Sequence, residues 1–353
     1  MGAGAKLRGL LIRVVAIALG LGFGLVVAEL GLRIAAPQEK SWLDIYRVDP
    51  VLPLVSLAPD AATTVVTGES TWHVRTDARG HRTGNAAPAA PGSPTLLLLG
   101  DSFAFGHGVD YEESFATLVA QELDGGLALV NTGVPGFGPV QYRQVLESML
   151  QSGEPPQAIL LSLYLGNDFL DCVWNKRVQV VNGVMVEESG RLRTWMKFNL
   201  HTYRLASKVY QRVAAWRRPG RSPDEALFDP EAWRSGELSR ALEIFSQELG
   251  RIGEIAREAN IPILAVVIPR ETTLLHDTAV DGSGLDYGLP NAKAAGALTA
   301  AGIPFVDLSA ALRELGPAQA YFARDGHLTR PGNRTAADEI ARALRPLIAA
   351  RPG

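Results

Sequence analysis

Residues 100 to 106 read GDSFAFG and follow the apolar run Thr95-Leu96-Leu97-Leu98-Leu99. A buried strand that ends in glycine and then presents an acid and a hydroxyl sets reactive groups at the rim of a fold. A serine hydroxyl is a weak nucleophile until a neighbouring base takes its proton, so an imidazole must reach Ser102. Of the six histidines, His327 stands in YFARDGHLTRPGN just ahead of a C-terminal helical stretch. Asp325, two residues upstream, is close enough to accept from the His327 Nδ1–H and fix its tautomer. A tetrahedral intermediate would also need donors aimed at its oxyanion, each worth ~10² to 10³ in rate. The expected donors are the backbone N–H groups of Ser102 and of Gly133 in NTGVPGFG, and the side-chain amide of Asn167 in LYLGNDF.

Such a set requires elements that bring distant turns together. From residue 94 the chain alternates apolar strands, predicted at Thr95–Leu99, Leu127–Asn131, Ala158–Leu165, Ile261–Ile268 and Ile303–Asp307, with helical stretches. The helices are predicted at Glu112–Leu123, with Asp110 and Glu113 spaced as a capping box, and at Gln141–Gln151, Glu237–Ala259 and Pro331–Ala349. Near-continuous apolar strands joined through helices imply a doubly wound α/β domain with a parallel sheet of about five strands. Ligands bind outside the carboxyl ends of such strands, and Ser102, Gly133 and Asn167 follow the first three of them.

GDSFAFG, the glycine of NTGVPG, GND and a late Asp/His pair occur in the order used by SGNH hydrolases, the GDSL-like esterase superfamily, and the chain resembles that superfamily over roughly residues 94 to 350. The resemblance implies Ser102 as nucleophile, His327 as general base and then acid, Asp325 as its orienting partner, and Ser102, Gly133 and Asn167 as the oxyanion hole. Two departures stand out. The Asp325-Gly326-His327 spacing is shorter than the usual DxxH and matches the DxH of the alginate acetyltransferase-type branch. The chain also carries an N-terminal segment and an insertion that small secreted esterases lack. The implied activity is ester hydrolysis through an acyl-enzyme on a small ester, glycan or lipid. The alternatives are an O-acyltransferase acting on an envelope polysaccharide and a non-catalytic protein that binds glycan or a partner.

The remaining features bound the rest. The chain has 353 residues, 47% hydrophobic and 20% charged, with a formal charge of −3, enough for a large core and without the basic footprint of a nucleic-acid binder. Val14 to Ala28 carries no charge and, with its apolar flanks, reaches the ~20 residues that cross a bilayer. Lys6, Arg8 and Arg13 ahead of it predict a single-pass anchor at residues 1–36 with a cytoplasmic N-terminus and an extracytoplasmic domain. A cleaved signal peptide ending near Ala28 is the rival. Residues 37–93 read as a linker with a small β segment, including Thr63–Thr67 and Trp72–Thr76 and ending in AAPAAPGSP. Residues 169–236 read as an insertion holding a hairpin, Arg177–Glu187, a basic aromatic helix at about Leu200–Trp216, and RRPGRSPDE. Asp101 is expected to brace the nucleophile turn and Asp168 to serve structure. Cys172 should be a small core residue, and the other five histidines should have surface or turn roles. No cofactor or metal motif is present, and oligomeric state is not encoded in any pattern found.

Overall fold

Leu96, Leu98 and Leu160 point to one side of a sheet and Leu97, Leu99 and Leu161 to the other, and both sets are buried. Strands apolar on both faces need helices on both faces, and the computed structural model shows that arrangement. It describes residues 3–37, 42–49, 55–85, 92–123, 127–153, 155–173, 178–187, 191–217, 225–276, 282 and 284–349. The linker AAPAAPGSP and the polar stretch RRPGRSPDE lie largely outside them. The chain divides into two units, residues 1–40 with 188–220, and residues 41–187 with 221–353.

The second unit begins with a short antiparallel pair, β1 (Tyr46–Val48) and β2 (Val55–Leu57). It continues with β3 (Ala62–Val66), β4 (Thr71–Thr76) and β5 (Arg82–Thr83). The main run is then β6 (Thr95–Leu99), β7 (Ala128–Asn131) and β8 (Ala158–Tyr164), the hairpin β9 (Val178–Val181) and β10 (Val184–Glu187), and finally β11 (Ile263–Ile268) and β12 (Phe305–Asp307). The eight-stranded sheet has the order β12-β11-β8-β6-β7-β5-β4-β3. Its five strands β12, β11, β8, β6 and β7 are parallel, as the apolar runs predict. The small β segment continues the same sheet antiparallel beyond β7, through the pairing of Arg82 with Asn131.

From β6 the chain steps outward to β7, returns past β6 to β8, and moves on to β11 and β12. The strand order therefore reverses around β6, and in such sheets ligands bind beyond the carboxyl ends of the strands at the reversal. Between β6 and β7 lie α2 (Ser102–Phe105) and α3 (Phe115–Glu122), and α4 (Pro139–Gln151) leads to β8. The Asp110–Glu113 capping box is present, but it closes a 3₁₀ turn at Tyr111–Glu113, and Ser114 caps α3 itself. The short α5 (Asp168–Asp171) follows β8, and α8 (Glu237–Glu258) leads to β11. Next come α9 (Glu271–Leu275) and α10 (Leu289–Ala301), then α11 (Ser309–Leu315), α12 (Pro317–Ala320) and α13 (Arg330–Ala349). Helices α4, α8 and α10 cover one face of the sheet, and α3, α11 and α13 cover the other.

The first unit holds α1 (Ala3–Ala35), α6 (Arg191–Asn199) and α7 (His201–Arg217). Within α1, Arg8–Ala35 is long and apolar enough to cross a membrane, and none of it is buried.

Candidate active site

Ser102 is the first residue of α2, where the turn out of β6 leaves helix donors without carbonyl partners. Asp101 caps this turn, its carboxylate accepting from the Phe103 N–H at 2.9 Å. The helix stops after one turn at Gly106, in the left-handed conformation. Gly108 has φ +91°, and the pair of glycines turns His107 back beside the serine. The Ser102 N–H donates to no protein acceptor among the described residues.

His327 arrives from the far end of the chain. An isolated bridge between Tyr321 and Leu328 closes its loop, and the Gly326 N–H donates to the Phe322 carbonyl at 2.9 Å. Asn333 donates to the carbonyls of Leu328 (3.0 Å) and Thr329 (2.9 Å) and accepts from the Phe115 N–H (2.9 Å), which ties the start of α13 to α3. The result is a relay. The Ser102 hydroxyl donates to His327 Nε2 at 2.7 Å, and the His327 Nδ1–H donates to Asp325 Oδ1. Nε2 thus presents its lone pair to the hydroxyl, the tautomer a general base needs. Phe103 lies 4.7 Å from the His327 ring, centroid to centroid. Burial alone would raise the Asp325 carboxyl, but hydrogen bonds from His107 and His327 outweigh it and hold the group well below the usual carboxylate range.

His107 departs from its expected surface or turn role. Its Nε2 lies 3.5 Å from Asp325 Oδ2, and its ring stacks on His327 at 4.3 Å and packs on Trp72 at 4.8 Å. Burial pushes its pKa down. The sequence signal was GHG, a histidine between two glycines five residues after the serine.

The β extension supplies two further groups that motif reading passed over. Between β3 and β4, the Glu69 carboxylate accepts from the backbone N–H groups of Arg324 (3.0 Å) and Asp325 (2.9 Å). From β5, the fully buried Arg82 guanidinium donates to the carbonyls of Phe105, Gly106 (2.6 Å) and Val109 (2.6 Å), at and beyond the end of α2. Burial lowers its pKa to about 10. Residues 62–83 therefore hold both halves of the site.

The expected oxyanion donors separate. Gly133 reaches the rim, but its N–H donates to Asn131 Oδ1 at 3.0 Å, while Asn131 Nδ2 donates to the Ala104 carbonyl at 3.0 Å. Asn131 thus fastens the β7 turn to α2. A Cβ at position 133 would lie 2.5 Å from the Phe105 nitrogen, so glycine is needed for this backbone-to-backbone approach. A cavity of about 140 Å³ behind the turn is lined by Leu57, His81, Asn131, Gly133 and Phe137, and includes neither Ser102 nor His327. Asn167 gives one amide N–H to Asp171 Oδ2 at 2.7 Å; the second N–H is not committed by that bond.

Two buried carboxyls underlie the rim. Asp168 accepts from the Tyr142 hydroxyl (2.7 Å) and the Tyr164 N–H (2.8 Å), the structural duty expected of it. Burial, reinforced by Asp101, drives its pKa well up. Asp101 is fully buried and its pKa is raised by that burial, against opposition from Phe103, His327 and Asn167. Asp101 Oδ2 and Asn167 Oδ1 are both buried without a partner. A proton on Asp101, the form burial favours, would let it donate to Asn167 Oδ1 and satisfy both. Cys172 is half-buried, its thiol donating to the Asp168 carbonyl. His107, Asp325 and His327 also carry donor atoms within 4.8 Å of one another, close enough to hold a metal ion, and two of these residues belong to the relay.

The fold is an α/β domain with a mostly parallel sheet, and its C-terminal part is similar to one described family. Residues 227–353 match the family described as "SGNH hydrolase-like domain, acetyltransferase AlgX", a span that contains Asp325 and His327 but not Ser102. Among solved structures, the lipase/acylhydrolase from Enterococcus faecalis is similar at 13% identity and TM-score 0.41, over 72% of this chain and 96% of that one. An acetyl xylan esterase, AlAXEase, is similar at 15% identity and TM-score 0.39, over 71% and 99%. A member of the lipolytic G-D-S-L family from Veillonella parvula is similar at 14% identity and TM-score 0.37, over 71% and 97%. No curated protein matches the chain significantly in sequence.

Proposed function

We propose that the protein is a serine acyl hydrolase that cleaves an ester of an envelope glycan or lipid through an acyl-enzyme on Ser102. The 2.7 Å contact between Ser102 Oγ and His327 Nε2 carries this reading. As Oγ attacks the ester carbonyl, His327 accepts its proton and Asp325 stabilises the imidazolium. The Ser102 N–H and the remaining Asn167 N–H hold the oxyanion. His327 then protonates the departing alkoxide. In the second half a water gives its proton to His327 and attacks the acyl carbonyl; the bond to Ser102 Oγ then breaks, His327 returns the proton to that oxygen, and the acid is released.

If a sugar hydroxyl replaces that water, the same steps give O-acyl transfer, a reading favoured by the likeness of residues 227–353 to an acetyltransferase family. In either case α1 would anchor the chain with its N-terminus in the cytoplasm and the domain outside.

Purified full-length protein should hydrolyse p-nitrophenyl acetate, and Ser102→Ala and His327→Ala should each lower the rate by at least ~10³. Rates unaffected by both substitutions would refute the mechanism. With a polysaccharide acceptor present, acyl transfer exceeding release of free acid would select the transferase.

A further inference from the structure

A glutamate inside an apolar helix needs compensation, and Glu29 of α1 finds it within the first unit. Its carboxylate accepts from the backbone N–H groups of His201 (3.0 Å) and Thr202 (2.9 Å) and from the Thr202 hydroxyl (2.9 Å). These backbone donors open α7 and have no intrahelical carbonyl to bond. Arg33, one turn further along α1 and paired with Glu29 at 2.8 Å, donates to the Asn199 carbonyl at the end of α6 at 2.6 Å. Arg204 covers two more carbonyls of that end, those of Lys197 (2.9 Å) and Phe198. An anion thus faces a helix start and cations face a helix end, the signs that helix dipoles favour. One ion pair on α1 fastens the corner between α6 and α7.

At 1.5 Å per residue, Leu10 to Glu29 spans about 28 Å, close to the ~30 Å of a bilayer's hydrocarbon. The corner therefore falls at the boundary between acyl chains and water. Between Arg191 and Pro223 the sequence holds nine Lys or Arg residues and no Asp or Glu. Leu192 (69%), Trp195 (54%) and Tyr210 (72%) are exposed among them. Basic helices bearing exposed aromatic and apolar side chains lie in membrane interfaces and favour anionic lipid. An anionic polysaccharide would satisfy the charges, but it offers no acyl chains to the apolar side chains.

We propose that α6 and α7 form an interfacial collar that binds anionic phospholipid headgroups of the bilayer crossed by α1. The collar fixes the first unit against the membrane surface and goes beyond any reading of the catalytic chemistry.

The test uses the full chain in nanodiscs of phosphatidylcholine with or without phosphatidylglycerol, followed by backbone hydrogen exchange over residues 191–213. Anionic discs should slow exchange there, and high salt or the double variant R193E/K197E should restore it, by roughly fivefold for each cation lost. Equal exchange in the two disc compositions refutes the collar. So does protection that appears only when an anionic polysaccharide is added to neutral discs. A chain that fails to incorporate into discs refutes the anchor and the collar together, whereas incorporation with lipid-insensitive exchange refutes the collar alone.

Discussion

Replacing His107 with Phe keeps a ring between Trp72 and His327 but deletes the N–H directed at Asp325. The His107 Nε2 lies 3.5 Å from Asp325 Oδ2, longer than an ordinary hydrogen bond. A bond to a charged group of normal length contributes ~1.5 to 3 kcal/mol, so ~1 to 1.5 kcal/mol is expected here, or roughly five- to twelvefold in kcat/KM. Because His107 acts through Asp325, the loss should fall on kcat and leave KM unchanged. Thermal unfolding adds a second readout. Burial lowers the His107 pKa below 6.5, so under acid conditions the unfolded chain binds a proton that the fold resists. Wild type should then lose stability through this group as pH falls below the unfolded imidazole value of ~6.5, and His107→Phe should lose less. His107→Ala, which also removes the stacked ring, should be the less stable variant throughout. A Phe variant with kcat within twofold of wild type and the same dependence of Tm on pH would refute this role.

Two other substitutions follow from the buried charges. Arg82→Met leaves the carbonyls of Phe105, Gly106 and Val109 without their donor and should lower unfolding free energy by ~3 kcal/mol or more in urea titrations, with esterase activity falling in step. Stability within 1 kcal/mol of wild type would contradict the clamp. Asp101→Asn imitates the protonated acid, donating to Asn167 and accepting from Phe103, and should keep activity within about threefold. Because the folded Asp101 pKa is raised, wild type loses stability as pH rises above the ordinary carboxylate value of ~3.9, and the variant should gain on it from pH 4 to pH 7. An inactive Asn variant with native stability would show that Asp101 acts as an anion.

The parallel strands were legible because double-sided burial makes them apolar from end to end, as in Thr95–Leu99 and Ile263–Ile268. The candidate site residues were legible by their neighbours in sequence: Ser102 and Asn167 come just after β6 and β8, and the DGH loop just ahead of α13. The braces were not. Glu69 and Arg324 are hundreds of residues apart, and nothing near Arg82 distinguishes a buried clamp from a surface cation in a short strand. His107 was hidden by the same locality, since only the left-handed turns at Gly106 and Gly108 bring it back onto His327. At Gly133 the structure adds a second reason for glycine beside the expected approach of a ligand. The bare backbone makes room for the Phe105 nitrogen, and its N–H is held by Asn131, which motif reasoning had left out.

The most direct test is the rate at which a fluorophosphonate labels the protein, with the modified residue located by mass spectrometry. An activated serine should be phosphonylated at Ser102 alone, and His327→Ala should slow the reaction by at least ~10³. Labelling spread over other hydroxyls, or a Ser102 adduct formed at the same rate without the imidazole, would contradict the account.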